Sequence, residues 1–362
     1  MSLKIVHVVG NRPQFVKLSP ILRAAATKPS IENVIVHSGQ HYDYEMSKIF
    51  FDDLKLPEPN YHLDAGSGTH GVQTGRILER LDPILLKERP AAILVYGDTN
   101  TTLAGALAGY KLHIPVGHVE AGMREGIWRP EEMNKKMADH CSDYCFCPIE
   151  RAAANLKREG IDDNRIYNTG DITYDAFLNA REILKGKELI PVPDGDFYLL
   201  TLHRAETVDD GTRLRSVFTA LLDLDDARIV FPVHPRTRKI LNESGLQKEI
   251  SLKKNITLMK PLGYYDFLNF LTNSKMVLTD SSGVLKEAFY AERPCVTLDE
   301  TTEYREIFEM GFNILAGFES APIKSAVEKM LSIPPFSVSQ GKNPFGDGRA
   351  AYHILNAISN LD

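Results

Sequence analysis

No Gly-x-Gly-x-x-Gly follows the first apolar strand of this chain, no Gly-Lys-Ser/Thr loop occurs, and no Gly-x-Ser-x-Gly elbow is present. These absences argue against a nicotinamide dehydrogenase, a P-loop enzyme and a serine hydrolase of the elbow type. Cysteine is scarce: four residues in 362 do not make a disulfide framework. Cys141, Cys145 and Cys147 lie close together, but no second Cys/His pair has zinc spacing, so they read as buried thiols. Basic excess is missing as well. The net charge of −6 argues against nucleic acid or an anionic membrane as partner. No apolar run is long enough to span a bilayer. Met1-Ser2-Leu3-Lys4-Ile5-Val6 runs straight into a strand, so no signal peptide is expected and the cytoplasm is the expected compartment.

What is present is an alternation of strand-like and helix-like runs from end to end. Strands are expected at Ile5–Gly10, Val34–His37, Ala91–Tyr96, Pro115–Val119 and Tyr144–Cys147, then at Phe197–Leu202, Ile229–Val233, Met276–Thr279 and Cys295–Leu298. Helices such as Gln14–Ala26, Thr101–Leu112, Arg151–Glu159, Tyr264–Leu271 and Val284–Tyr290 fall between them. This pattern predicts an α/β protein of parallel sheets covered by helices on both faces. One sheet would be too wide, so two Rossmann-like domains are expected to face each other across a cleft. We place them at residues 1–170 and 171–347, with the C-terminal helix 348–362 folding back onto the first. The Pro- and Gly-rich stretch Ile190-Pro191-Val192-Pro193-Asp194-Gly195 is the expected hinge.

Ligands of open parallel sheets bind beyond the carboxyl ends of the strands. Six such ends carry polar residues. They are Gly10-Asn11-Arg12-Pro13, Gly97-Asp98-Thr99-Asn100, His118-Val119-Glu120-Ala121-Gly122, Leu202-His203-Arg204, Val233-His234-Pro235-Arg236 and Asp280-Ser281-Ser282-Gly283. The last follows an apolar strand and opens a helix with small residues. Unpaired N–H groups and the positive dipole end there suit a diphosphate. Glu287, expected near the end of the first turn, is placed to accept hydrogen bonds from a ribose. The ligand expected is a nucleoside diphosphate derivative.

Carboxylates dominate the other half of the set. Asp98, Glu120, Glu131 and Glu132 follow strands or open helices. Clustered carboxylates push one another's pKa values apart, so that one holds a proton while another accepts one. Asp98 has a competing role as N-cap of the helix that follows it. Arg12 and Lys17 could hold a diphosphate or neutralise a leaving group, or else form a solvated helix end. His203 is a general-acid or phosphate-contact candidate, unless it is a satisfied buried histidine. His234 lies between Pro232 and Pro235, which shape a turn. Phe267 belongs to an aromatic stretch with Tyr264 and Tyr265; its ring is either core or a platform for a base. Trp128 sits on a loop or a lid.

Together these motifs resemble the non-hydrolysing UDP-N-acetylglucosamine 2-epimerases. The resemblance runs from Gly10-Asn11-Arg12-Pro13-Gln14 through Gly39-Gln40-His41, Gly97-Asp98-Thr99-Asn100, His118-Val119-Glu120-Ala121-Gly122, Pro130-Glu131-Glu132-Met133-Asn134 and Phe231-Pro232-Val233-His234-Pro235 to Asn343-Pro344-Phe345-Gly346-Asp347-Gly348. It implies a glycosyltransferase-B-like pair of domains, a homodimer, and a UDP-sugar as the bound partner. It also implies elimination of UDP across C1 and C2 to a 2-acetamidoglucal and re-addition, with no cofactor and no metal. The product would feed cell-surface polysaccharide synthesis. By resemblance Asp98, Glu120 and Glu131 are the acid–base carboxylates. Lys17 and His203 assist at sugar and diphosphate, with Arg12 nearby. Ser281, Ser282 and Gly283 bind the diphosphate, Glu287 the ribose, and Phe267 and Leu262 the uracil. Gln40 and His41 match a motif near which some relatives bind a second, regulatory UDP-sugar.

The chain departs from the family pattern at three points. Ser282 stands where the family commonly has glycine. Tyr304 occupies the slot of an arginine, with Arg305 beside it as a substitute, and Lys135 replaces another arginine. Other segments, among them His234-Pro235-Arg236-Thr237-Arg238, look more like a subgroup acting on UDP-2,3-diacetamido-2,3-dideoxyglucuronate. A uronate needs an extra cation, which Arg124, Arg129, Arg236 or Arg238 could supply. A hydrolysing 2-epimerase, a UDP-dependent glycosyltransferase and a non-catalytic nucleotide-sugar binder are the other readings. The glycosyltransferase would leave the carboxylate set unexplained.

Overall fold

The computed structural model describes residues 2–39, 51, 53–334 and 343–360. They fall into two compact units, Met1–Glu182 with Asn343–Asp362, and Ile183–Lys342. The first holds strands β1 (Leu3–Val9), β2 (Ile31–His37), β3 (Tyr61–His62), β4 (Ala92–Tyr96), β5 (Val116–Val119), β6 (Tyr144–Cys147) and β7 (Ile166–Asn168). All are parallel, in the order β3-β2-β1-β4-β5-β6-β7. Helices cover both faces, so the inner strands are apolar without alternation; all five residues of β4 are buried.

The helix Asn100–Lys111 runs close over this sheet because its inner face is built of small residues, Ala104, Gly105, Ala108 and Gly109. A Cβ on Gly105 would lie 2.7 Å from Val95 Cγ1, and one on Gly109 only 2.4 Å from Val116 Cγ2. Gly75, in the exposed part of the helix His70–Glu88, has nothing within 4 Å. Alanine therefore has opposite effects at the two sites. Gly75→Ala should stabilise by about 0.5–1 kcal/mol through helix propensity. Gly109→Ala gains the same propensity but forces about 1–3 kcal/mol of overpacking, so it should destabilise. Urea midpoints of the two variants check both signs.

The C-terminal segment closes the first unit. Phe345 is fully buried, and its carbonyl accepts from Asp171 N at 2.9 Å. Asp175, on the helix Ile172–Leu184, accepts from the amides of Ala350 and Ala351 at 3.1 and 2.9 Å and so caps the helix Ala350–Ser359. Burial pushes the Asp175 carboxyl up to about 6 against those two donors. The capped helix lies on Arg12–Ala25, and in the turn after that helix Lys28 Nζ donates to Asn356 Oδ1 at 2.7 Å.

The second unit holds β8 (Tyr198–Thr201), β9 (Ile229–Pro232), β10 (Ile256–Met259), β11 (Met276–Thr279), β12 (Cys295–Thr297) and β13 (Asn313–Leu315), again all parallel, in the order β10-β9-β8-β11-β12-β13. Its core includes Leu200, Phe218, Phe231, Leu278 and Ile323. The proline-rich stretch begins as part of this unit, with Ile190 N donating to Asp266 Oδ1 at 2.8 Å. Strand order reverses between β1 and β4 in one sheet and between β8 and β11 in the other. Such reversals open a crevice at the strands' carboxyl ends. Among the described residues, no helix is long and apolar enough to cross a membrane.

Candidate active site

In the first unit the polar turns meet at the β1/β4 reversal. Asn11 caps the helix Arg12–Ala25, its Oδ1 accepting from Gln14 N at 3.2 Å. Arg12 is exposed at the start of that helix, whereas Lys17, further along it, is buried. A buried ammonium requires a partner, and Lys17 Nζ pairs with the Glu120 carboxylate. Gln14 braces the surroundings: its Oε1 accepts from Gly10 N at 2.7 Å and its Nε2 donates to Tyr96 O at 2.8 Å. The turns after β1 and β4 are thereby locked together.

Glu120 has left-handed backbone, φ 73°. That conformation costs an L-residue about 1 kcal/mol or more. It is held by Glu120 N and Ala121 N, both donating to Phe146 O at 3.1 Å. Glycine would adopt it freely, so retention of a carboxylate here points to a use for the side chain. Gly97, φ 66°, lies against the pair; a Cβ there would be 3.0 Å from Lys17 Nζ. Asp98 is half-buried, and its carbonyl accepts from Asn134 Nδ2 at 3.0 Å. Thr99, not Asp98, is the N-cap of the helix Asn100–Lys111, which removes the capping explanation for Asp98. Glu131 is exposed in the first turn of the helix Pro130–Cys141, while Glu132 is buried beside Lys135 at 3.4 Å.

In the second unit the reversal lies between β8 and β11. Asp280, fully buried after β11, reaches across to β8, its Oδ2 accepting from His203 N and Arg204 N at 2.8 Å each. Its Oδ1 lies 3.2 Å from His203 Nδ1. The His203 side chain is half exposed, which overturns the buried-histidine alternative. Ser281 caps the helix Ser282–Tyr290, and Gly283 is exposed on its first turn. Arg204 pairs with Asp299, after β12, and donates from Nη2 to Ser282 Oγ at 2.7 Å. Glu287 falls in the second turn of this helix, not the first, because the helix begins at Ser282. Burial pushes its carboxyl up to about 7, against the opposing pull of Lys286 and Tyr264. Phe267 and Leu262 are half-buried, one on and one just before the helix Tyr264–Asn273.

The family model for UDP-N-acetylglucosamine 2-epimerase matches residues 23–359. The chain belongs to this family. A UDP-N-acetylglucosamine 2-epimerase of Methanocaldococcus jannaschii is 43% identical over 99% of both chains. A UDP-2,3-diacetamido-2,3-dideoxy-D-glucuronate 2-epimerase of Pseudomonas aeruginosa is 41% identical over 99% of this chain and 100% of that one. The crystal structure of the Methanocaldococcus jannaschii UDP-GlcNAc 2-epimerase in complex with UDP-GlcNAc and UDP superposes with a TM-score of 0.89, at 42% identity, covering 98% of this chain and 99% of that one. The chain is thus an epimerase, an isomerase built of two parallel-sheet α/β units of glycosyltransferase-B type.

The departures of this epimerase from the family pattern have structural accounts. Tyr304 is buried, with Lys286 Nζ 4.7 Å from the centre of its ring, so the arginine slot is filled by core. Arg305 is exposed at the start of the short helix Arg305–Glu309. Ser282 is tied to Arg204. Of the four cations considered for a uronate, Arg124 is committed to Asp139 and Glu159, at 2.7 and 2.6 Å. Arg129 pairs with Glu125 at 2.9 Å, Arg236 pairs with Asp209, and Arg238 donates to Met259 O at 2.9 Å. His234 is exposed and caps the helix Pro235–Glu243, with Nδ1 accepting from Arg236 N at 3.3 Å. Gln40 and His41 lie outside the described residues. Asp280 and Gln14 organise the turns, yet the sequence, which marks the motifs that contain them, assigns neither a role. A carboxylate directly after the apolar run of β11 was the available signal for Asp280.

Proposed function

We propose that this epimerase interconverts UDP-N-acetylglucosamine and UDP-N-acetylmannosamine. The C1–O bond to UDP breaks as a carboxylate takes the C2 proton, giving a 2-acetamidoglucal and UDP. UDP then adds back at C1 while a proton is delivered to the opposite face of C2. Asp98, Glu120 and Glu131 are assigned the proton transfers, and Lys17, His203 and Arg12 are assigned to the sugar and diphosphate. Ser281, Ser282 and Gly283 are assigned the diphosphate, Glu287 the ribose, and Phe267 and Leu262 the uracil. The observation that carries this reading is the buried Lys17–Glu120 pair at the strand reversal, on a left-handed residue that the backbone alone would give to glycine. Expelled UDP needs donors and a cation, which the Ser281 turn and Arg204 supply.

The diacetamido-glucuronate is the second reading, on the strength of the Pseudomonas aeruginosa relative. Arg124, Arg129 and Arg236 each pair with a carboxylate and Arg238 donates to Met259 O, so the carboxylate of a uronate would compete with an existing partner at each of the four. We further propose a homodimer, supported by the exposed apolar side chains Tyr110, Trp128, Met133 and Met137, and a cytoplasmic location. Proton NMR of UDP-N-acetylglucosamine with the enzyme in deuterated water tests the substrate. Deuterium at C2 with a UDP-N-acetylmannosamine signal is expected. Neither exchange nor product would overturn this substrate, and the same experiment on the diacetamido-uronate would follow.

Glu287 makes UDP binding pH-dependent. A free-enzyme carboxyl near 7 is largely protonated below that pH. Ribose hydroxyls donate to the ionised form and so lower its pKa in the complex. Affinity should therefore rise with pH up to about 7 and level off above it, with proton release on binding. Calorimetry in buffers of different ionisation enthalpy reads this, and Glu287→Gln should lose that share of the proton release.

A further inference from the structure

We propose that Asn134 is a positioning residue for the epimerisation: its carboxamide holds Asp98 at a set spacing from Glu131. The inference rests on the acid–base assignment proposed above. Taking a proton from one face of C2 and delivering one to the other needs carboxyl groups whose separation is fixed. Asp98 lies in the turn between β4 and the helix Asn100–Lys111, in neither strand nor helix. A turn residue has no hydrogen-bond ladder of its own, so partners from elsewhere decide where it sits. Asn134 is buried on the helix Pro130–Cys141, one turn beyond Glu131. Its Nδ2 donates to Asp98 O at 3.0 Å and to Asn100 Oδ1 at 3.2 Å. Both amide hydrogens are thereby used, and they grip the turn at two residues that flank Thr99. Glu131 and Asn134 share one helix, so this grip sets Asp98 against Glu131. The helix itself is anchored further along, where the fully buried Asp139 pairs with Arg124 at 2.7 Å. What the Asn134 bonds hold is therefore the turn.

The direction of the amide is fixed by a row of three. Asn100 Nδ2 donates to Gln73 Oε1 at 2.7 Å, and Gln73 Nε2 donates to Gly66 O at 2.7 Å. The row starts at Asp98 O and ends at Gly66 O, and a backbone carbonyl only accepts. Each end must meet a nitrogen, which dictates the orientation of Asn134, Asn100 and Gln73 together. A flipped member would set oxygen against oxygen or nitrogen against nitrogen. Asn100 and Gln73 are buried as well, so a mismatch would leave buried polar groups unpaired. His70 Nδ1 lies 3.2 Å from Asn100 Oδ1, at the start of the helix His70–Glu88 that carries Gln73. On its other side the turn is tied beside Glu120, with Gly97 N donating to Val119 O at 3.0 Å. Asn134 thus joins the turn of Asp98 to the helix of Glu131 by direct hydrogen bonds, while the row behind it keeps its donors pointing the right way.

Asn134→Ala releases Asp98 O without touching any carboxylate. Misplacement of Asp98 by up to about an ångström should lower kcat about 10- to 100-fold, with KM and UDP affinity unchanged. A residue that acts through Asp98 loses its effect once Asp98 can no longer carry a proton. In an Asp98→Asn background, followed by deuterium entry at C2 over long incubations, Asn134→Ala should therefore cost less than about threefold. A loss of full size in that background would mean general damage to the helix and overturn the proposal, as would a loss shared by KM and UDP affinity. Wild-type kcat in Asn134→Ala would overturn it too. Wild-type kcat in Asp98→Asn would remove Asp98 from the proton transfers and the proposal with it. The wild-type enzyme reads the bonds without any variant. Both side-chain amide protons of Asn134 should exchange slowly with solvent by NMR, and rapid exchange of either overturns the proposal. Failure of the functional reading shows separately, as a wild-type enzyme that puts no deuterium at C2 of either UDP-sugar while these amide protons stay protected.

Discussion

Glu120→Gln should lower kcat by about 10³-fold while leaving UDP affinity almost unchanged. Glu120 is paired to the buried Lys17 ammonium, and it keeps that place on strained backbone. Glutamine still offers Lys17 an oxygen, so the pair's geometry survives while the capacity to take or give a proton is lost. The turn assigned to the diphosphate belongs to the other unit, which is why binding is expected to be spared. Glu120→Gly separates chemistry from folding. It relieves about 1 kcal/mol of backbone strain, offset by a Lys17 left without its partner. The variant should stay folded and lose turnover to the same degree. Rates by NMR, UDP affinity by calorimetry and a thermal melt check the three parts. Turnover within tenfold of wild type in either variant would remove Glu120 from the proton transfers.

Arg204→Met should weaken UDP binding by about 10- to 100-fold. Its guanidinium is fixed by Asp299 and donates to Ser282 Oγ at 2.7 Å, at the turn assigned to the diphosphate. A charge-assisted hydrogen bond contributes about 1.5–3 kcal/mol, and each 1.4 kcal/mol is about tenfold in affinity. Ser282→Gly restores the residue common in the family but cuts this link, so it should weaken UDP binding a few-fold rather than improve it. If the two residues act as a unit, the double variant binds UDP no more weakly than Arg204→Met alone. Calorimetric affinities that simply add would show that Ser282 acts independently of Arg204. Tighter binding by Ser282→Gly would mean that the hydroxyl obstructs the ligand.

The α/β class and most strand positions were legible because a parallel sheet buried on both faces must be written in continuous apolar runs. Met276–Thr279 coincides with β11 residue for residue, and β4 falls within one residue of its expected start. Short edge strands such as β3 and β13 escaped, since two or three residues carry no period. Polar turns after apolar strands marked Asp98, Glu120, His203 and Ser281, for a carboxylate or imidazole in such a place is costly unless used. Position along the helix was harder to read: Glu287 moved to the second turn because Ser281, not a later residue, provides the cap.

By itself, then, the chain's order of apolar runs and polar turns determined two parallel sheets and the residues at their carboxyl ends. Both depend on neighbours in sequence. Only the tertiary structure decided which of those residues pair, because pairing joins segments distant along the chain. Lys17 meets Glu120 across 103 residues, Arg204 meets Ser282 across 78, and His118 links Gly97 to Asp139 across 21 on either side. Hydrogen bonds and ion pairs hold over about 3 Å and leave no periodic trace in the sequence. The buried network behind the carboxylates becomes visible only when the strands lie side by side.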